Sequence, residues 1–332
     1  MNIDIEYLGG PQVKALNLTD AEIIAAVETG LAAAGRGQTV IEPRTHLKPD
    51  AGTEGHFNIL RGYIEPLDLA GVKIVGDFVD NYKTGLPSEM ALLNLFCPRT
   101  GMPRAVIDAA GITDMRTGAL TAIGAKYLAP ANPKTLGHIG ARGTAYWNVR
   151  LLDSLFDFEE IRIHSRRAES RNTFAQRLSE DLGREVVATD NWQDCLDGAD
   201  IAVEASRLPE PTPLYKTDWV RKGSLVVPYG TMSALPLDFT DQFDKFVMDD
   251  FGQIMAGPYG ALRPHLNAGK ITVESFYSEV GDIVASQKPG RENDNETILF
   301  WHRGLATSDI ALGAFMLGKA REMNLVQKLR YA

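Results

Sequence analysis

The stretch Thr135-Leu-Gly-His-Ile-Gly-Ala-Arg-Gly-Thr-Ala-Tyr-Trp-Asn148 decides the fold. A short apolar run breaks into glycines and continues as a helix-like segment through Leu155. A second apolar run, Glu160-Ile-Arg-Ile-His-Ser165, follows. Strand, glycine turn, helix, strand is the first βαβ unit of a dinucleotide-binding fold, whose helix N-terminus offers unpaired N–H groups and a positive dipole end to a pyrophosphate. In a G-x-G-x-x-G/A reading Gly140 takes the first position and Ala145 the last, but Arg142 stands where the middle glycine belongs. That glycine normally lets backbone approach phosphate, so Arg142 either points away or uses its guanidinium on the phosphates. The candidate contacts of this turn are Gly140, Arg142, Gly143, Thr144 and Ala145. An ordinary tight strand-to-helix turn is the alternative, and the rest of the chain has to decide.

Moving outward, four further apolar runs extend the same half: Glu185-Val-Val-Ala188, Ile201-Ala-Val-Glu-Ala205, Ser224-Leu-Val-Val-Pro-Tyr-Gly230 and Lys245-Phe-Val-Met-Asp249. They read as strands three to six of a parallel sheet, with crossovers of helical length between the earlier ones. The end of strand two carries cofactor information. An acidic residue there would accept the ribose 2′-OH of NAD, whereas this chain has Ser165-Arg166-Arg167. Two cations in place of a carboxylate suit the 2′-phosphate of NADP, with NAD as the alternative.

The first hundred residues read as mixed α and β. Thr19-Asp-Ala-Glu22 is a capped helix start, with Ile23, Ile24, Val27 and Leu31 on one face and Gly35 and Gly37 at its end. Thr39-Val-Ile-Glu-Pro-Arg-Thr-His46, His56-Phe-Asn-Ile-Leu-Arg-Gly-Tyr-Ile64, Gly71-Val-Lys-Ile-Val-Gly76 and Ala91-Leu-Leu-Asn-Leu-Phe96 read as strands. Lys73 is the odd member. A lone lysine in an apolar strand is ordinarily outward-facing on a half-exposed sheet; the other reading is a cation aimed into a site. A long helix is expected from Thr113 to about Leu128. That places Arg116 in a first turn, where the dipole disfavours a cation, so Arg116 reads as a residue kept for an anion.

Composition sets the outer limits. The 332 residues leave room for two domains, and 44% apolar with 23% charged residues describes a globular chain. A net charge of −9 argues against nucleic acid as a partner, while leaving room for a small anion held by local cations. Cys97 and Cys195 are far apart and form no metal-type pair, and no metal site is expected. No signal peptide and no membrane span are read, so a cytoplasmic protein is expected.

The ordered set Glu42-Pro-Arg44, Gly71-Val-Lys73, Asn81…Gly85-Leu-Pro-Ser88, Thr100-Gly-Met-Pro, Ile112-Thr-Asp-Met-Arg-Thr-Gly-Ala119 and Gly124-Ala-Lys-Tyr-Leu-Ala129 resembles the ornithine cyclodeaminase/μ-crystallin family. Gly198-Ala-Asp-Ile201, Trp219-Val-Arg-Lys-Gly223 and Gly304-Leu-Ala-Thr-Ser-Asp309 continue the likeness over nearly the whole chain. The resemblance implies an α/β protein in which a Rossmann NAD(P)-binding domain, residues 116–304, is inserted into an α+β dimerisation and substrate domain, residues 1–115 and 305–332. A homodimer is then expected from the N-terminal sheet and a last helix running from Ser308 to about Leu329, with Ile310, Leu312, Phe315, Met316, Leu317, Ala320 and Met323 as its apolar stripe.

By the same resemblance Arg44, Lys73 and Arg116 grip a substrate α-carboxylate, since burying one unpaired would be very costly. Ser88, Thr117, Tyr229 and Gly230 join the expected cofactor contacts. Ornithine cyclodeaminases carry an acid/base Asp after strand five, and aligning Leu235-Pro-Leu-Asp238 puts Gly230 at that position. The candidates to replace it are His56, Tyr229, Glu89 and Lys73. The implied activity is hydride transfer to or from the α-carbon of an imino or amino acid, as in a ketimine reductase or amino-acid dehydrogenase. Ornithine cyclodeaminase and a μ-crystallin-like NADPH-binding protein are the alternatives.

Overall fold

The computed structural model describes residues 2–49, 52 and 55–332. It divides into two compact units, Met1–Arg116 with Gly304–Ala332, and Thr117–Arg303. Arg116 and Gly304, placed by the sequence in the inserted half, thus belong to the first unit.

The first unit runs β1 (Asp4–Leu8), α1 (Gly10–Ala15), α2 (Asp20–Gly35), β2 (Thr39–Leu47), β3 (His56–Ile64), β4 (Leu69–Asp77), β5 (Glu89–Phe96) and β6 (Pro103–Asp108). Helix α3 (Ala110–Leu128) carries the chain out of it, and α10 (Ala306–Glu322) and β15 (Gln327–Arg330) complete it after the insertion. Its seven strands stand in the order β15-β1-β6-β5-β4-β3-β2. Strict alternation makes this sheet one-sided. On β4, Leu69, Gly71, Lys73, Val75 and Asp77 are buried, whereas Ile74 between them is exposed. Helices α2 and α10 pack together, and α10 lies on β3, β4 and β5. Thr19 opens α2 with a capping box, its hydroxyl accepting from the Glu22 N–H at 3.2 Å and its own N–H donating to Glu22 Oε2 at 2.8 Å.

Three expectations for this unit change. Helix α3 begins at Ala110, whose N–H donates to Asp108 Oδ1 at 3.0 Å, three residues earlier than read. Arg116 therefore stands in the second turn, and the dipole does not explain it. The last helix stops at Glu322; Asn324 turns with φ 57°, and the tail pairs antiparallel with β1 as β15. Ile310, Leu312, Met316, Leu317 and Ala320 are buried inside the unit, so this stripe is core rather than a dimer face. Truncating Leu312 to alanine would cost about 2–5 kcal/mol.

The second unit holds β7 (Thr135–Ile139), α4 (Ala145–Asp153), β8 (Glu160–His164), α5 (Ala168–Leu182), β9 (Val187–Ala188), α6 (Trp192–Leu196) and β10 (Ile201–Glu204). It continues with β11 (Leu225–Pro228), β12 (Lys245–Met248), α7 (Phe251–Met255), α8 (Arg263–Asn267), β13 (Ser278–Glu279), α9 (Val280–Val284) and β14 (Ile298–Trp301). All eight strands pair in parallel, in the order β13-β12-β14-β11-β10-β7-β8-β9. The run β9-β8-β7-β10-β11 is the 3-2-1-4-5 order of a doubly wound fold, with its switch point between β7 and β10.

Here too the sequence needed correcting. The third strand shrinks to Val187–Ala188, and Lys245–Met248 does not neighbour β11, because Ile298–Trp301 enters between them. No described helix is long and apolar enough to cross a membrane.

Candidate functional site

In the first unit the sequence-predicted cations come together around a carboxylate that the sequence did not single out. Lys73 is 1% exposed, on the inward face of β4, so the outward-facing reading of this lysine is wrong. Its Nζ lies 2.6 Å from Asp309 Oδ1 and 3.0 Å from Thr113 Oγ1. Arg116 Nε donates to the same Asp309 oxygen at 3.0 Å. Asp309 is fully buried in the first turn of α10, where the helix dipole favours an anion.

Arg44 reaches this group by a different device. The β2–β3 register slips between Glu42 and Thr45, and this bulge at Pro43-Arg44 re-aims the arginine, whose Nη2 donates to the Gly304 carbonyl at 2.8 Å. Gly304 holds the turn before α10 at φ +86°, and a Cβ there would fall inside the Arg116 guanidinium. One glycine thus seats both arginines.

The electrostatics follow from this crowding. Burial pulls Lys73 down to about 8, Asp309 opposes that shift, and the Arg116 and Arg44 charges add to it. Asp114, two residues before the end of the unit's share of α3, is pushed up to about 6 by burial and by Glu89, against the pull of Arg116 and Lys73. Lys73 and Arg116 both bind one oxygen of Asp309, so two cations share one carboxylate, an arrangement able to take a further negative charge.

His56 stands apart. It pairs with Asp77, whereas Lys73 pairs with Leu60, four residues and roughly 13 Å along the strand. The His56 ring meets Asn58 at 3.2 Å and His46 at 5.6 Å between centroids. Ser88, before β5, gives its carbonyl to the Phe78 N–H at 2.8 Å within the first unit.

In the second unit the glycine turn follows β7. Gly140 has φ +118°, and a Cβ there would come within 3.0 Å of the Ala205 carbonyl, so glycine is required. His138, buried and held neutral by burial with its affinity for protons lowered to about 4, donates through Nδ1 to the Gly140 carbonyl at 3.1 Å. Arg142 and Gly143 are exposed, Gly143 with φ +56° and open space around it. Ala145 is buried and begins α4, whose N-terminus has no side-chain cap. A free helix N-terminus beside an uncluttered turn fits a pyrophosphate.

Thr144 Oγ1 lies 2.8 Å from the Tyr229 hydroxyl, which also accepts from Asn148 Nδ2 at 2.9 Å. The Tyr229 ring stacks on His302 at 4.7 Å, and His302 Nε2 meets Thr121 Oγ1 at 2.9 Å. Thr117, the first residue of this unit, is buried, and its carbonyl accepts from Thr121 Oγ1 at 3.3 Å. Ser165 follows β8 and donates to the Arg167 carbonyl at 3.4 Å, while Arg166 and Arg167 are exposed. Gly230 lies two residues past β11 beside Glu204, a buried acid that the sequence reading passed over.

A doubly wound parallel sheet with an open glycine turn at its switch point defines a dinucleotide-binding protein of the Rossmann class. Residues 10–324 match the ornithine cyclodeaminase/mu-crystallin family, and the chain belongs to it. It is 30% identical over 314 residues to the alanine dehydrogenase of Archaeoglobus fulgidus, covering 93% of this chain and 94% of that protein. Among solved structures, the Thermococcus litoralis Δ1-pyrroline-2-carboxylate reductase in complex with NADH and L-proline superposes with a TM-score of 0.90 at 26% identity, covering 98% of this chain and 100% of that one. An archaeal alanine dehydrogenase dimer with bound NAD gives 0.90 at 28% identity over 99% of this chain and 100% of that one.

Proposed function

We propose that this protein is an NAD(P)-dependent oxidoreductase that moves a hydride to or from the α-carbon of an α-imino or α-amino acid. The observation that carries the reading is the cation group of buried Lys73 and Arg116 with half-buried Arg44, held in place by Asp309 and the Gly304 turn. Two buried cations sharing one carboxylate are costly to bury for structure alone; an arriving carboxylate repays that cost.

Gly140, Gly143, Thr144 and Ala145 would hold the pyrophosphate of the cofactor, and Arg166 and Arg167 the 2′-phosphate of NADP in preference to the 2′-OH of NAD. The bound cofactor supplies the hydride; the protein fixes the substrate carboxylate and manages protons. The names of the relatives, an alanine dehydrogenase and a pyrroline-2-carboxylate reductase, support this class of substrate.

The protein works as a homodimer in this reading. Its surface is the uncovered face of the first unit's sheet, where Ile74 pairs with Leu92 and both are exposed, with Met90 beside them. A relative described as a dimer supports it.

The test is a panel of α-imino acids and of α-oxo acids with ammonia, followed by loss of NADPH or NADH absorbance. Turnover of at least one, lost in Lys73→Met, is expected. Ammonia release from ornithine without net cofactor oxidation would make the protein a cyclodeaminase. Tight NADPH binding with no turnover of any substrate would make it a binding protein.

A further inference from the structure

Glu204 is the last residue of β10, at the switch point of the second unit's sheet. It is fully buried, in register with Ile139 of β7 and Pro228 of β11. Its main-chain carbonyl accepts from Tyr229 N–H at 2.8 Å and Gly230 N–H at 3.1 Å, which anchors the chain after β11 against it. Its carboxyl is half-satisfied. Oε1 accepts from the Ser206 N–H at 2.8 Å, whereas Oε2 has no hydrogen-bond partner among the described residues. A Cβ on residue 230 would stand 2.7 Å from Oε2 and 3.1 Å from Oε1, so a side chain there would press on this carboxyl. Buried polar atoms are ordinarily paired, and an exception at the carboxyl ends of parallel strands lies where a doubly wound sheet takes its ligand.

Burial raises Glu204 to about 7, against hydrogen bonding from Ser206. Tyr215, whose acidity burial suppresses with a small reinforcement from Glu204, stays neutral. His138 on β7 pairs with Val203 and so points to the opposite face, and it too is neutral at physiological pH. The Tyr229 hydroxyl is engaged with Thr144 and Asn148. Glu204 therefore stands about half-protonated at neutral pH, and burial rather than a charged neighbour sets that balance.

We propose that Glu204 is the proton reservoir of the reaction, a carboxylic acid opposite the nicotinamide end of the reduced dinucleotide and a carboxylate opposite the oxidised one. The proposal rests on the dinucleotide reading of this unit. As the substrate carbon gains its hydride, the substrate nitrogen gains one proton; the Glu204 O–H bond breaks to balance it. The resulting carboxylate is stabilised by the positive charge that the oxidised ring carries, and water reprotonates it once that ring has left. In the direction of amino-acid oxidation the same carboxylate recovers the proton.

The test needs no substrate. Binding of NADP+ and of NADPH is measured by titration calorimetry at pH 7 in buffers of different ionisation enthalpy, with the infrared band of a protonated carboxyl recorded in parallel. Wild-type protein is expected to release roughly half a proton on binding NADP+ and to take up roughly half a proton on binding NADPH. Glu204→Gln should abolish the difference while binding both cofactors, and should slow imine reduction by about a hundredfold. Gly230→Ala, whose methyl crowds Oε2, should change the proton release and serves where Glu204→Gln does not fold.

Equal proton release for the two cofactors in the wild type, or release unchanged in these variants, overturns the proposal. The functional reading can fail separately. Redox-linked release without turnover of any imino or amino acid keeps Glu204 and removes the substrate class; turnover without such release does the reverse.

Discussion

Replacing Lys73 by methionine removes one charge from a buried group while keeping most of the side-chain volume. In the free protein the lysine is depressed from 10.5 to about 8, so the unfolded chain binds more protons within that window. The ligand-free protein accordingly gains stability as pH rises from about 8 to 10.5, when the buried charge is lost. An α-carboxylate reverses the balance by supplying a counter-charge, and its binding requires Lys73 to be protonated. A lysine at about 8 is roughly nine-tenths charged at pH 7 and roughly one-thirtieth charged at pH 9.5. The affinity for a carboxylate ligand should fall about thirtyfold over that range, or about 2 kcal/mol.

Pyruvate is a suitable probe because it has no ionisation of its own there. Calorimetric titration into protein saturated with NADP+ reads both affinity and proton uptake. Lys73→Met should bind pyruvate weakly at every pH, without the slope, and lower kcat/KM by about two to four powers of ten. That loss corresponds to roughly 3–5 kcal/mol for breaking a buried charged pair. Cofactor affinity should stay near its wild-type value. A flat wild-type profile from pH 7 to 9.5, or near-normal kcat/KM in Lys73→Met, would refute the placement of the carboxylate.

Other perturbations test the remaining parts. Arg166→Ala with Arg167→Ala should weaken NADPH by about tenfold to a hundredfold and leave NADH nearly unchanged, read by fluorescence titration. Gly304→Ala should lower Tm and abolish turnover together, because it strains a positive φ and displaces the Arg116 guanidinium; a fully active, equally stable variant would contradict the seat described for the arginines. Asp114 has its folded value raised from 3.8 to about 6, so it costs stability as pH rises through that interval, and Asp114→Asn should raise Tm at pH 7. Leu92→Lys should yield monomers by light scattering if the open sheet face is the dimer surface.

What the sequence made legible was what repeats. Period-two alternation located β3, β4 and β5 closely, and the glycine turn with its flanking apolar runs gave the doubly wound unit. Lys73, Arg44 and Arg116 were found through their place in an ordered set of motifs. Asp309, the partner shared by Lys73 and Arg116, was missed because Thr307-Ser-Asp309 reads as an ordinary polar helix start; only α10 lying on β4 brings it to the lysine. A signal for Glu204 did exist. An acid inside Ile201-Ala-Val-Glu-Ala205 is unusual in a strand buried on both faces, but its meaning depends on Gly230, a neighbour through the sheet rather than along the chain. Short strands such as β13 and the tail β15 depend on pairing more than on their own composition, so residues 278–279 and 327–330 carried no readable pattern.

The central claim, hydride transfer at the α-carbon of a carboxylate-bearing substrate, is tested most directly with 4-deuterated NADPH of each stereochemistry and the imino or oxo acid that turns over best. Mass spectrometry of the amino-acid product should find one deuterium on the α-carbon from one of the two cofactors and none from the other, with Lys73→Met forming no labelled product. Product formed without deuterium from either cofactor, or no product from any α-imino or α-oxo acid, would contradict it.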